Sequence, residues 1–479
     1  MKGKKVLKWV GGILVALVLI VVVVTVVVAI VAPDALFLPY GLYLNTRTTT
    51  TFEVHGDELW MDGYINHKTY NQFVEILEAN PQITTLVEGV MHGSLDDDTM
   101  IKLAYYVREN GLNTHLRSTS QIDSGAVDLF LAGMERTMER GAHIGVHSWS
   151  DGMQQAKDIP PDDPQHRKNA QYIKDMLGSE DFYWFTIYAS PANGIHEMTE
   201  DEILEYGMLT QPIMEPSTDE MPGVLANKIE TDGNADSDVV IVYSQHGPMM
   251  DLLGWGGFVY FPKVDRDKVY LVDVHQAQTY APYNFSDEPI TAEDAQAAAD
   301  ISVQYLADIV QFYLDEGRTV YVVGKGYGAY LVQELLATQG NVAEGYLLAA
   351  GRLDMQDAAV QQLASGQSVK FENGTTPVPG ESDAYASEDE GAYANENLSR
   401  LLGAVAVNRY TERLTDTPMD NVVYTYGEQD ERLGGLTADE VSFLKGKGVQ
   451  VLAGADYAEA AKDLMTQGLE MLLGEAYMK

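Results

Sequence analysis

YVVGKGYGAYL, residues 321–331, decides how the C-terminal half of this chain is read. An apolar strand runs into a G-x-G-x-G turn, and the turn runs into the start of an apolar helix. Glycines suit such a corner, because a tight strand-to-helix turn needs positive φ and close approach of two backbones. The middle of the turn, where a side chain would be presented, is Gly326. A corner shaped to present a residue presents none.

Outward from this corner, strand-like and helix-like runs alternate. VVIVYSQHG (239–247) and KVYLVDVH (268–275) precede a long helical pattern at 290–317, and NVVYTYGEQD (421–430) and VQVLAGAD (449–456) follow the corner. That alternation predicts an α/β domain with a mainly parallel sheet over 238–479. Residues 352–400 interrupt it with the acidic stretch ESDAYASEDEGAYANEN (381–397), read as an inserted lid or a solvated spacer. The N-terminal half alternates as well. ITTLVEGV (83–90), DDDTMIKLAYYVREN (96–110), GLNTHLRS (111–118), GAVDLFLAGMERTMERG (125–141) and AHIGVHSW (142–149) read as β-α-β-α-β within a domain over 52–210. The polar, Pro- and Gly-containing stretch 211–237 reads as a linker.

Composition narrows the function classes. The 479 residues are 46% apolar and 21% charged, as in folded proteins, and are enough for two domains. With 71 acidic residues against 31 basic ones, the formal charge is −40, which repels nucleic acid and anionic lipid head groups. The chain has no cysteine, which excludes disulfides, thiolate metal sites and a cysteine nucleophile. His143 and His147 stand four apart on a strand-like run without a surrounding ligand set, so no metal and no cofactor is expected.

The N-terminus predicts an address. A basic tail (1–8) precedes 24 uncharged residues, Trp9 to Ala32. As a helix these span roughly 36 Å, enough for a ~30 Å hydrocarbon core, and longer than a signal-peptide core. The expectation is a single-pass anchor at 9–32 with a cytoplasmic N-terminus and the bulk of the chain extracytoplasmic.

Three landmarks in the second domain resemble the α/β-hydrolase family. SQHGP (244–248) matches its oxyanion loop, VVGKGYGA (322–329) its nucleophile elbow, and YGEQDERLG (426–434) the strand bearing its triad acid. The resemblance puts His246 in the oxyanion loop, Gly326 at the nucleophile, Asp430 at the acid, and Tyr457 of GADY (454–457) at the histidine. Acyl transfer needs an alkoxide and a base, and this domain lacks both: Gly326 has no side chain, and a tyrosine of pKa ~10 is a poor base. Lys325 and Tyr327 flank the turn, which aims them away from the site. A pseudo-hydrolase used for binding is the implication.

The first domain keeps a nucleophile candidate. QIDSGAVDLFLAG (121–133), GAHIGVHSW (141–149), VMHGSLDDD (90–98) and TEDEILEYGML (199–209) together resemble the ClpP/crotonase superfamily. The resemblance makes Ser124 the nucleophile and His147 its base, with Gly93 and Gly125 framing the oxyanion hole. For a third member it points into SPANGIHEMTEDE (190–202), where His196, Asn193 and Glu197 are candidates and no aspartate stands at the matching place. Ser94 before three aspartates is expected to cap the next helix. Acyl-CoA chemistry would need a cytoplasmic cofactor, so an outside location implies a peptide, ester or other small-molecule substrate. The sequence thus predicts a membrane-anchored extracytoplasmic serine hydrolase, ClpP-like then α/β-hydrolase-like. The rival reading is a binding or scaffold protein with two inactive domains. An oligomer is left open.

Overall fold

The computed structural model describes residues 47–151, 154–252, 259–381, 385–386 and 390–479. The expected anchor at 9–32 lies outside these, and no helix among the described residues is long and apolar enough to cross a membrane. The chain divides into two compact units, at Val224 and Leu225.

Unit 1 is built on a mixed sheet. β1 (Thr50–His55) pairs antiparallel with β2 (Glu58–Ile65), and β2 lies parallel to β3 (Thr85–Ser94). β3 is parallel to β4 (Asn113–Asp123), which is flanked by β5 (Arg136–Met138) and β6 (His143–Val146), both parallel to it. A short antiparallel β7 (His196–Glu197) closes the edge. Every second residue of β4 is buried, as expected for side chains alternating between two faces. A helix at Thr69–Ala79 joins β2 to β3, and two more connect the strands that follow: α1 (Asp97–Glu109) and the single-turn α2 (Gly125–Phe130). Leu103, Phe130, Leu116 and Ile122 are fully buried in the core between them. Each such residue stabilises the fold by about 1.5–3 kcal/mol relative to exposure. α3 (Arg167–Leu177) and α4 (Asp181–Ala189) follow β6 in the chain.

Two local readings are corrected here. The cap of α1 is Asp96, whose carboxylate accepts from the Thr99 N–H, while the Ser94 hydroxyl donates to Asp97. The helical reading of 125–141 fails after Phe130. Gly133 packs so tightly on β4 that an added Cβ would lie 2.2 Å from Thr114 Oγ1, and the chain turns there into β5.

Unit 2 carries a seven-stranded sheet. Its order is β16 (Gln450–Gly454), β15 (Val422–Gly427), β12 (Gly345–Ala349), β11 (Thr319–Lys325), β9 (Val239–Ser244), β10 (Tyr270–Val274) and β8 (Ile229–Gly233). All neighbours are parallel except the β8 edge. The central strands β9, β12 and β15 are buried at every residue, because a parallel sheet is covered on both faces. α5 (Ala292–Asp315) begins at a Thr291–Asp294 capping box, and α6 (Tyr327–Gln339) starts directly from the 321–331 corner. An added Cβ on Gly328 would lie 2.1 Å from the Ser244 carbonyl oxygen, so α6 can meet β9 only through glycine.

Two segments differ from the sequence reading. β8 falls inside the stretch read as a linker; its polar residues suit an edge strand exposed on one side. The interruption at 352–400 is largely structured, with α7 (Asp357–Ala364), the hairpin β13 (Val369–Glu372) and β14 (Thr376–Pro379), and the start of α8 (Ala394–Ala406).

Candidate functional site

Both units contain the same corner. Ser124, between β4 and α2, has φ 54° and ψ −125°, and Gly326, between β11 and α6, has φ 56° and ψ −115°. For glycine this backbone is free of strain. For serine it costs about 1–3 kcal/mol and persists only where the surroundings impose it.

The surroundings of Ser124 are the end of β3. Gly93, at φ 104°, is so close that a Cβ there would lie 3.0 Å from Ser124 Cβ. A Cβ on Gly125 would lie 2.6 Å from Ser94 Oγ. The structure therefore brings Gly93, Ser124 and Gly125 together. The Ser124 backbone is tied on both sides, its N–H donating to Gly145 and its carbonyl accepting from Val127. Its hydroxyl is not tied: it does not cap α2, and among the described residues it has no hydrogen-bond partner. A strained serine with an unused hydroxyl is not an ordinary helix cap.

Ser124 and His147 line one cavity of about 70 Å³, walled by Asp97, Asp128, Trp149 and Tyr183. His147 Nδ1 lies 2.8 Å from the Ser148 carbonyl oxygen. That contact needs a proton on Nδ1, which leaves Nε2 as an acceptor. Tyr183 is fixed by Trp149 Nε1 at 3.0 Å and by His166 Nδ1 at 2.6 Å, and burial pushes its hydroxyl up to about 12. Burial, with the charge of Asp97 adding, pushes the half-buried Asp128 carboxyl up to about 7.

His196 is corrected as a third member. It stands in β7 with Nε2 3.0 Å from both Glu202 oxygens, and it does not line the Ser124 cavity. Asn193 and Glu197 are absent from the lining too. Glu197 instead faces His143, which lies 3.1 Å from Asp123 through Nε2 and 3.9 Å from Glu197 through Nδ1. Burial alone would lower the His143 value; hydrogen bonds to the two carboxylates outweigh it and raise it. The residue missed from sequence was Asp128. Four positions after Ser124, it lies one helical turn on, and that spacing was the available signal. Among the described residues no group of three His, Asp or Glu could hold a metal ion.

In unit 2 the cavity beside Gly326 is larger, about 470 Å³, and includes His246, Arg432 and Tyr457. An added Cβ at Gly326 would lie 3.0 Å from Tyr457 Oη and 3.5 Å from His246 Cβ. Tyr457 thus stands where a nucleophile's side chain would emerge, and burial raises its hydroxyl far above neutrality. Asp430 is buried with Oδ1 accepting from the Arg432 and Leu433 N–H groups, and burial still pushes it up to about 6. His246, lowered to about 4 by burial and the nearby Lys325 and Arg432, is neutral. Tyr327 is fully buried, its hydroxyl without a partner. Of the expected landmarks, His246, Gly326 and Tyr457 line this cavity and Asp430 does not.

The chain matches no family model, and no curated protein sequence matches it. Solved α/β-hydrolase structures match about half of it. A serine hydrolase from Cycloclasticus zankles is 11% identical, over 51% of this chain and 92% of that one, with a TM-score of 0.34. A bromoperoxidase from Bacillus anthracis is 15% identical, over 52% and 95%, also at 0.34. An alpha/beta hydrolase from a Medee basin deep-sea metagenome library is 14% identical, over 51% and 92%, at 0.35. Likeness at this level assigns no residue a role.

Two outcomes follow from the geometry. Ser124→Gly relieves the strained backbone and Ser124→Ala does not, so the glycine variant melts higher, by about 1 kcal/mol or more in stability. Gly326→Ala does the reverse and lowers the melting temperature; calorimetry of the three variants checks both. Asp128 supplies a pH dependence. Its folded-state value lies above the ordinary ~3.9 of an unfolded aspartate, so its favourable contribution is full below about pH 4 and is lost as pH rises to about 7. Melting curves of Asp128→Asn should therefore gain on the parent protein between pH 4 and 7, and run parallel to it above that.

Proposed function

We propose that unit 1 is a serine hydrolase of peptidase or esterase type, related in plan to the ClpP/crotonase superfamily. Unit 2 has a hydrolase-like fold without a nucleophile and serves for binding. The observation that carries the reading is Ser124 itself: a non-glycine residue at φ 54°, its hydroxyl unused, in one cavity with a histidine whose Nε2 is left as acceptor.

In this mechanism Ser124 Oγ attacks the carbonyl carbon of the substrate while His147 Nε2 takes its proton. The oxyanion that forms is stabilised by backbone N–H groups of Gly125 and Gly93 at the positive start of α2. The proton passes from His147 to the leaving group, and water, deprotonated by the same nitrogen, releases the acid from Ser124. A cavity of about 70 Å³ admits only a small acyl group, so the rest of a substrate lies outside it. The uncharged run 9–32, long enough to cross a bilayer, supports a single-pass anchor with both units outside the cytoplasm.

The test is turnover of a small activated ester such as p-nitrophenyl acetate. Ser124→Ala and His147→Ala should each lose about 10⁴-fold while keeping the parent circular dichroism. Retained turnover in Ser124→Ala overturns the reading and leaves the binding-protein alternative.

A further inference from the structure

We propose that His143 is a positioning residue for Ser124. Its imidazolium, set between Asp123 and Glu197, ties β4, β6 and β7 together where the nucleophile corner is attached, and loosens that attachment when it loses its proton. The proposal rests on reading Ser124 as the nucleophile and His147 as its base.

One row of the unit 1 sheet runs Asp123, Gly145, Glu197, on β4, β6 and β7 in turn. Residues paired across strands point to the same face, so two carboxylates flank a position that has no side chain. Gly145 has to be glycine there, since an added Cβ would lie 2.0 Å from Asp123 Oδ1. His143, two residues back on β6 and on the same face, takes the space between the acids. It is only 3% exposed, with Nε2 3.1 Å from Asp123 Oδ1 and Nδ1 3.9 Å from Glu197 Oε2. A ring with a carboxylate at each nitrogen suits both acids only when both nitrogens carry protons. A neutral ring turns a lone pair toward one of them. Asp123 and Glu197, one from the strand on each side, are the charged groups acting on His143. Their hydrogen bonds and charge outweigh burial and hold its proton above the ordinary histidine value of ~6.5.

The same row carries the nucleophile corner. The Ser124 N–H, next along the chain from Asp123, donates to the Gly145 carbonyl at 2.9 Å. His147, the base, is one residue beyond the end of β6. β7 is only two residues long, so the pull of His143 on Glu197 is a large part of what holds that edge. When the ring is neutral, one acid loses its partner, and β4 is held less firmly against β6 at the residue before the strained serine. A strained backbone persists only where its surroundings impose it. Glu197 thus enters the site through His143 rather than through His147.

Turnover of p-nitrophenyl acetate across pH, corrected for spontaneous hydrolysis, tests this together with NMR of histidine-labelled full chain. Turnover should rise as His147 loses its proton and fall at higher pH as His143 loses its own. Glu197→Gln should move the falling limb down by about one pH unit and leave the rising limb in place. Asp128 also titrates near neutrality, at about 7, but Glu197 does not line its cavity, so a limb moved by Glu197→Gln belongs to His143. His143→Gln, which keeps a donor but carries no charge, should lose about tenfold or more at the optimum and show no falling limb, since misplaced reacting groups are costly. A residue that only stabilised the fold would lower the melting temperature and leave the pH profile alone. In the Ser124→Ala chain no turnover is needed. There the His143 ring signal, identified by its loss in His143→Gln, should titrate above ~6.5, and the amide of residue 124 should shift with the same midpoint. That measurement separates failure of this claim from failure of Ser124 as nucleophile. A His143 ring that titrates at or below its ordinary value, an amide at 124 indifferent to it, or a falling limb unmoved by Glu197→Gln overturns the proposal.

Discussion

The left-handed backbone at the strand-to-helix corner is the constraint on which each unit's site depends. At Ser124 it is imposed from outside the corner. β3 ends against it through Gly93 and Ser94, and any side chain at Gly93 or Gly125 would collide with that contact. Below it, a Cβ on Gly145 would lie 2.0 Å from Asp123 Oδ1, so the Asp123–His143 pair also needs a glycine beside it. Three glycines and a buried imidazole between two carboxylates surround one strained serine. That much structure imposes a backbone that serine does not adopt freely, and the proposed role of Ser124 as nucleophile supplies a reason for it.

At Gly326 the same corner is unstrained, and its surroundings have taken another course. Tyr457 and His246 close over the place of the missing side chain, while α6 and β9 keep their glycine-only contact through Gly328. This corner forms around a glycine because the packing of helix on sheet needs the turn whatever it presents. The neighbouring electrostatics then differ in kind. Ser124 lies beside a carboxyl that is largely protonated below neutrality, whereas Gly326 directly follows Lys325, whose ammonium is buried over the Tyr260 ring and pushed down to about 7.

Much of this was legible in the sequence, and the limits have physical causes. Fully apolar runs such as VVIVYS and alternating ones such as NTHLRSTSQID announce buried parallel strands and a half-buried one, so both α/β units could be read. The corners were legible because glycine spacing reports backbone geometry directly. What stayed hidden depends on contacts between distant segments. MERTMERG has helical propensity, yet Gly133 on Thr114 forces a strand. IETDG reads as loop until the β10 edge supplies its partner. His196 had the right place in the order but spends its Nε2 on Glu202, six residues away. Lys325 reads as a turn residue facing away, and only the fold shows that away means buried over Tyr260.

The central claim is that of two corners with one backbone, only the serine corner carries chemistry. The most direct measurement is a fluorophosphonate reaction with the full chain, followed by peptide mapping of the adduct by mass spectrometry. The account predicts a single stoichiometric adduct on Ser124, with the peptides around Lys325, Gly326 and Tyr457 unmodified. An adduct on Lys325, Tyr327 or Tyr457, or an unmodified Ser124 in the folded protein, would contradict it.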